Sequence, residues 1–168
     1  MHRLAIFNDY AVKDLLRARK IVHSQVHDNR NKLNAAWAEV EYRVCRVDAP
    51  DQDIRLRFNA RLTKALTVAV PKPLPSASLL WHKIRIRGID RKLLHDDIRN
   101  GIKIGEIQGW HEHQWNSVDG DSAIINVNDE IKKIRLDFRS FVKFCLERWR
   151  IDYEDFENRQ GTLFDLPE

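Results

Sequence analysis

Residues 53–58, Asp53-Ile54-Arg55-Leu56-Arg57-Phe58, switch between polar and apolar side chains at every step. A strand turns successive side chains to opposite faces, so a period of two with arginine on one side describes a half-buried strand. The same period returns in His82-Lys83-Ile84-Arg85-Ile86-Arg87, which Gly88 ends. Between them, residues 65–70 form an unbroken apolar run that reads as a strand buried on both faces. The prolines of Pro71-Lys72-Pro73-Leu74-Pro75-Ser76 bar helix and sheet pairing there, so that segment is extended or turning.

Towards the N-terminus the period changes. Val12, Leu15, Leu16, Val22 and Val26, then Leu33, Trp37, Val40 and Val44, recur at helical steps. Residues 9–47 are therefore expected to be two helices or one broken one, with Asn8-Asp9 as N-cap, a break in the polar run 27–31 and Pro50 as the close. Lys13, Arg17, Arg19 and Lys20 read as a solvated face of that region or as a contact for nucleic acid.

Towards the C-terminus, residues 89–100 suggest a short helix with Leu93, Leu94 and Ile98 inward and Gly101 as its stop. Residues 102–115 and 123–127 read as strands joined by the turn 116–121. Ile134, Phe138, Phe141, Val142, Cys145 and Trp149 form an apolar stripe at helical spacing. Residues 131–136 either begin that helix or form a third strand ending at Asp137, which would then cap the helix; periodicity does not separate the two. The expected fold class is α+β: a helical N-terminal portion over 1–50, then over 51–151 an antiparallel sheet with a C-terminal helix packed on it. A flexible acidic tail over 152–168 follows this single domain.

Composition agrees with one domain. The chain has 168 residues, 43% hydrophobic and 32% charged, which excludes a disordered polyelectrolyte, and no apolar run reaches a membrane span. A chain of this length buries about 70% of its unfolded surface and needs no staple. Cys45 and Cys145 are far apart, against a disulfide scaffold or a cysteine zinc module, and no signal-peptide core begins the chain. A cytoplasmic location is expected. Charge is uneven: the 17 residues from Asp152 onward carry six acids and one base, and the preceding 151 carry a net +9. A basic body with an acidic tail suits a nucleic-acid surface plus a separate protein partner.

The most chemical local feature is Trp110-His111-Glu112-His113-Gln114-Trp115. On a strand, His111 and His113 share a face and Glu112 takes the other. Such a pair serves as candidate catalytic residues, acid and base on a phosphodiester, or shares a divalent metal if a third ligand joins; otherwise it is a polar strand edge. His82, His95, Asp119 and Asp121 qualify as that third ligand by type alone. No motif calls for a cofactor, and no metal is assigned. Arg55 and Arg57 on one strand and Lys83, Arg85 and Arg87 on another are the nucleic-acid candidates. If those strands share a sheet, five cations lie on one polar face matched to phosphate charge, or that face is merely solvated.

In the tail, Gln160-Gly161-Thr162-Leu163-Phe164 resembles the pentapeptide that binds the bacterial DNA sliding clamp, Gln-x-x-Leu-Phe. The resemblance implies Gln160 as polar anchor and Leu163 with Phe164 as apolar plug. Gly161 stands where the family usually has leucine, which lowers apolar contact and pre-organisation. The order of signals from VPKPLPSASLLWHKIRIR through GWHEHQW to DFRSFVKFCLERW is similar to the TumE-like toxin family, which would align His82, His111 and His113 with that family's recurring histidines. A small protein with a clamp peptide and a toxin-like body resembles replication-blocking toxins of the SocB type. The expected function is clamp binding that inhibits replication elongation by competition with polymerases, with an antitoxin as second partner and no membrane partner. The alternatives are a clamp-recruited repair or mobile-element nuclease using the His-x-His pair, and an RNA-acting toxin; the sequence leaves enzyme status open.

Overall fold

The computed structural model describes residues 8–28, 37–61, 75–135 and 138–153. Helix α1 (Asp9–Arg17) is followed by strands β1 (Lys20–Asp28), β2 (Trp37–Arg46), β3 (Ile54–Arg61), β4 (Ser76–Trp81), β5 (Ile84–Arg99), β6 (Ile102–Gln114) and β7 (Ile124–Asn126). Helices α2 (Asn128–Lys132) and α3 (Phe138–Arg148) and a short strand β8 (Ile151–Asp152) complete the order. Among the described residues eight strands form one sheet in the order β7-β6-β5-β4-β3-β2-β1-β8. Each of β1 to β7 pairs antiparallel with its neighbour in sequence, and β8 returns parallel to β1.

The fold is α+β, and the sheet dominates it. Expected helix over residues 9–47 is helix only for α1; β1 and β2 take the rest of its described residues. Val40 and Val44, four apart, fit a helix, but Tyr42 between them is also buried and completes a period of two. In β1 the register shifts between Val22/Ser24 and Gln25/His27, which disturbs the strict alternation that marks a strand. Residues 89–99 of the expected helix over 89–100 belong to β5, where shifts between Lys92/His95 and Asp97/Ile98 do the same, and Asn100 is in the turn that follows; Leu93 and Leu94 are exposed rather than inward. The strand expected over 65–70 lies outside the described residues. Residues 131–135 form no strand but the end of α2 and the turn after it, and Leu136 and Asp137 lie outside the described residues.

One face of the sheet is the core face. Val40, Tyr42, Val44, Ile54, Leu56, Phe58, Leu79 and Ile89 project from it onto Phe141, Val142, Cys145, Leu146 and Trp149 of α3 and its last turn. Each large side chain fully buried there contributes roughly 1.5–3 kcal/mol. Glu112 crosses onto this face as a buried anchor. Its Oε2 accepts from Arg148 Nε at 2.7 Å and from Trp149 Nε1 at 3.0 Å, and its Oε1 from Gln114 Nε2 at 3.0 Å. The chain therefore pins α3 to β6 at the residue between the two histidines.

Helix α1 is built as its sequence suggests. Asn8 Oδ1 accepts from Ala11 N at 2.7 Å, and Val12 and Leu15 are buried. At the other end Lys20 Nζ donates to the carbonyls of Leu15, Leu16 and Ala18 at 2.8, 3.2 and 2.7 Å. Lys20 is thus a buried helix cap, not part of a solvated face. Cys45 and Cys145 are free and buried, and among the described residues no helix is long and apolar enough to cross a membrane. The body runs through Tyr153, beyond the expected limit at 151: Asp152 lies in β8 and binds Arg19, and Tyr153 packs against the core.

Candidate functional site

Strands β5 and β6 outrun their neighbours and form a long hairpin. Its turn is Asn100-Gly101, with φ of 53° and 72°, the left-handed pair that a tight two-residue hairpin needs. Asp90 pairs with His111 and Lys92 with Gly109, but His95 pairs with Ile107. One extra residue on β5 separates these pairs, a bulge at Leu93-Leu94. That bulge moves His95 into the row that position 94 would otherwise occupy, so His95 shares a face with Asp90, His111 and His113.

The hairpin also bends at Gly109, whose φ is +91°. A Cβ at this position would lie 2.5 Å from Asn128 Oδ1, so only glycine fits. Asn128 occupies the space beside the bend, accepting from Trp110 N at 2.8 Å and donating to Gln108 O at 2.8 Å. Beyond the bend the arm returns over the outer face of the sheet. Its tip meets the loop after β6: Ile98 N donates to Ser122 O, Ile124 N to Asp97 Oδ1, and Asn100 N and Gly101 N to the Asp119 carboxylate. Ala123 and Ile124 are buried on this side, apart from the main core.

The histidines lie within this fold-back. His111 is 0% and His113 4% exposed, while His95 is half-buried. His111 Nε2 is 3.2 Å from His113 Nε2 and 2.5 Å from Asp90 Oδ1, and His113 Nε2 is 3.7 Å from the same oxygen. The His95 ring centroid is 4.7 Å from that of His111 and 5.0 Å from that of His113. One ligand atom from each of the three imidazoles lies within 4.8 Å of the others. On the far side of each ring, Nδ1 faces a main-chain carbonyl: Asp96 O at 2.9 Å from His95, Gly109 O at 3.2 Å from His111, and Asp121 O at 2.8 Å from His113. A carbonyl only accepts, so the network assigns a proton to all three Nδ1 atoms and leaves Nε2 as the acceptor of each ring, with those of His111 and His113 facing one another.

Asp90 is the residue that sequence reasoning missed. Burial opposes its charge; when the facing Nε2 atoms of His111 and His113 carry protons, those imidazoles outweigh burial and hold the carboxyl well below the usual carboxylate range. Its buried Oδ1 has no aligned hydrogen-bond donor despite the proximity of His111. Burial moves His95 below the ordinary imidazole value. Nothing in the one-dimensional pattern singles out Asp90; its role follows from the β5–β6 register. The Asn100-Gly101 pair is the local signal that could have announced that hairpin.

The other third-ligand candidates have different partners. Asp119 receives the hairpin tip, the Asp121 carboxylate binds Arg85, and His82 stacks on Trp81 in the exposed turn before β5. Arg55 and Arg85 share a row across Leu80, on the same outer face as the histidines. His113, Gly88, Ser78 and Arg57 form the next row. These cations are paired: Arg55 with Asp53 at 3.0 Å, Arg57 with Glu41 at 3.6 Å and Arg85 with Asp121 at 2.6 Å. Arg87 is not among them, because it follows Leu56 and Leu79 onto the core face, and Lys83 sits exposed in the β4–β5 turn. The five cations therefore do not share one face. Gln160, Leu163 and Phe164 lie outside the described residues.

No family model, curated protein or solved structure matches this chain significantly. The chemistry of the site rests on its own geometry. A largely buried group of three imidazoles and a carboxylate can relay a proton or hold a cation.

Proposed function

We propose that this chain binds the bacterial DNA sliding clamp through Gln160, Leu163 and Phe164 and inhibits replication elongation by competing with polymerases, as the toxin of a toxin–antitoxin pair. The observation that carries this reading is the peptide Gln160-Gly161-Thr162-Leu163-Phe164, set beyond an acidic run at the end of a basic body. Its root is compatible with presentation to a partner. The described chain ends at Tyr153, just past the β8 edge, six strand spacings from β6. That is roughly 29 Å along the sheet.

Titration of the full chain against a purified clamp tests the reading. Binding should weaken at least tenfold, about 1.4 kcal/mol, in the Leu163→Ala/Phe164→Ala double variant. Equal binding by the two proteins would refute it.

A second reading, a clamp-recruited hydrolase of phosphodiesters, is favoured by a separate observation: Arg55, Arg57 and Arg85 occupy the same sheet face as His111 and His113. The paired carboxylates of these arginines can be exchanged for phosphates at a modest electrostatic cost on a half-exposed face. This reading expects DNA or RNA cleavage by the full chain that His111→Ala and His113→Ala abolish. Cleavage that persists in both variants would dismiss these histidines as its site.

A further inference from the structure

We infer that His95, His111, His113 and Asp90 form a binding site for a divalent transition-metal ion. This inference is independent of the clamp reading, since every residue it uses belongs to the β5–β6 hairpin. It begins with an electrostatic mismatch. With all three Nδ1 atoms committed to carbonyls, the neutral imidazoles offer only lone pairs at Nε2, and Asp90 Oδ1 is a fourth acceptor. Acceptors held at 2.5–3.7 Å with no hydrogen between them repel, and burial removes the water that would otherwise satisfy them. Something positive belongs at their focus.

A metal ion meets that need for all four groups. Ligands about 2.0–2.1 Å from a tetrahedral ion lie roughly 3.3 Å from one another. The His111–His113 separation of 3.2 Å and the His113–Asp90 separation of 3.7 Å bracket that value. Asp90 must open slightly from His111, and His95 must close inward. His95 has that freedom, being half-buried and next to the bulge, whereas His111 and His113 are fixed in the sheet. The carbonyls on Nδ1 are the outer contacts that orient metal-binding imidazoles and select Nε2 as the ligand atom. A set of three nitrogens and one oxygen suits zinc, iron, cobalt, nickel or copper, and disfavours magnesium and calcium, which prefer oxygen.

The alternative occupant of the focus is a proton, shared by His111, His113 and Asp90 without His95. The test uses the full chain after chelator treatment and dialysis, with Co2+ as the optical probe and Zn2+ as competitor. The expected results are one cobalt per chain, visible d–d absorption that Zn2+ removes, and a melting midpoint raised by about 5–10 °C at a hundredfold excess over Kd. His95→Ala should weaken cobalt binding at least tenfold while the metal-free protein keeps its melting midpoint; His113→Ala should do the same to affinity, and His82→Ala should leave it unchanged.

Absence of any absorption or melting shift at about 100 μM metal, against a correctly folded chain, would overturn the inference in favour of the shared proton. Binding undiminished in the His95→Ala/His113→Ala double variant would also overturn it, by placing the ion elsewhere.

Discussion

Lys20 brings an ammonium into the interior, where the C-terminal carbonyls of α1 meet it. Burial first, then the neighbouring guanidinium groups of Arg46 and Arg150, bring its pKa down to about 8. Between pH 8 and the ordinary lysine value the unfolded chain keeps a proton that the folded chain has released. Stability from this group therefore rises with pH across that window and is flat below it. Lys20→Met should cost about 1–3 kcal/mol at neutral pH, because three carbonyls lose their donor. Urea titrations at several pH values should show the wild type gaining on the variant from pH 8 to about 10.5. A constant difference across that window would contradict the assigned pKa. In the sequence, Lys20 is indistinguishable from Lys13, Arg17 and Arg19; what separates it is that β1 starts there and swings it under the helix.

At the scale of the element, the hairpin explains which parts of the site could be read in advance. His111 and His113 stand on one side of a strand whose alternation is intact, so their common face was visible in the sequence. His95 and Asp90 were not, because their position depends on strand pairing and on one extra residue that resets the phase. The same physics divides the fold: β3, the part of β6 from Gly105 onward and α3 keep an unbroken period and are legible, whereas β1 and the distal half of β5 carry shifts that disturb it. Gly109→Ala forces an L-residue to φ +91° and drives a methyl against Asn128 Oδ1. Strain and the loss of the Asn128 hydrogen bonds should cost about 2–4 kcal/mol. Adding Asn128→Ala removes the obstruction, so denaturant unfolding of the double variant should show a loss smaller than the sum of the single ones. Full additivity would mean that the two residues do not act on one bend.

Across the whole molecule, the sheet separates its tasks by face and by edge. The core face seats α3, the outer face carries the histidines and paired arginines, and β8 closes one edge. The arm of β5 and β6 adds a liability to this plan. Past Ile89 on one side and before His111 on the other, the described residues offer no further strand to pair with it. Rows of backbone donors and acceptors left open in this way are templates for joining another chain edge to edge. Charged residues such as Arg91, Lys92, Asp96 and Lys103 protect those rows, and so does the bulge, because a sharply bent strand cannot line up with a second copy. Deleting Leu94 evens the ladder between Lys92 and His95 and keeps His95 on its face, while the shift at Asp97/Ile98 and the bend at Gly109 stay in place. Light scattering should then show concentration-dependent self-association that the native chain lacks. The irregularity that obscures the face of His95 in the sequence thus also interrupts the even ladder that edge-to-edge joining needs.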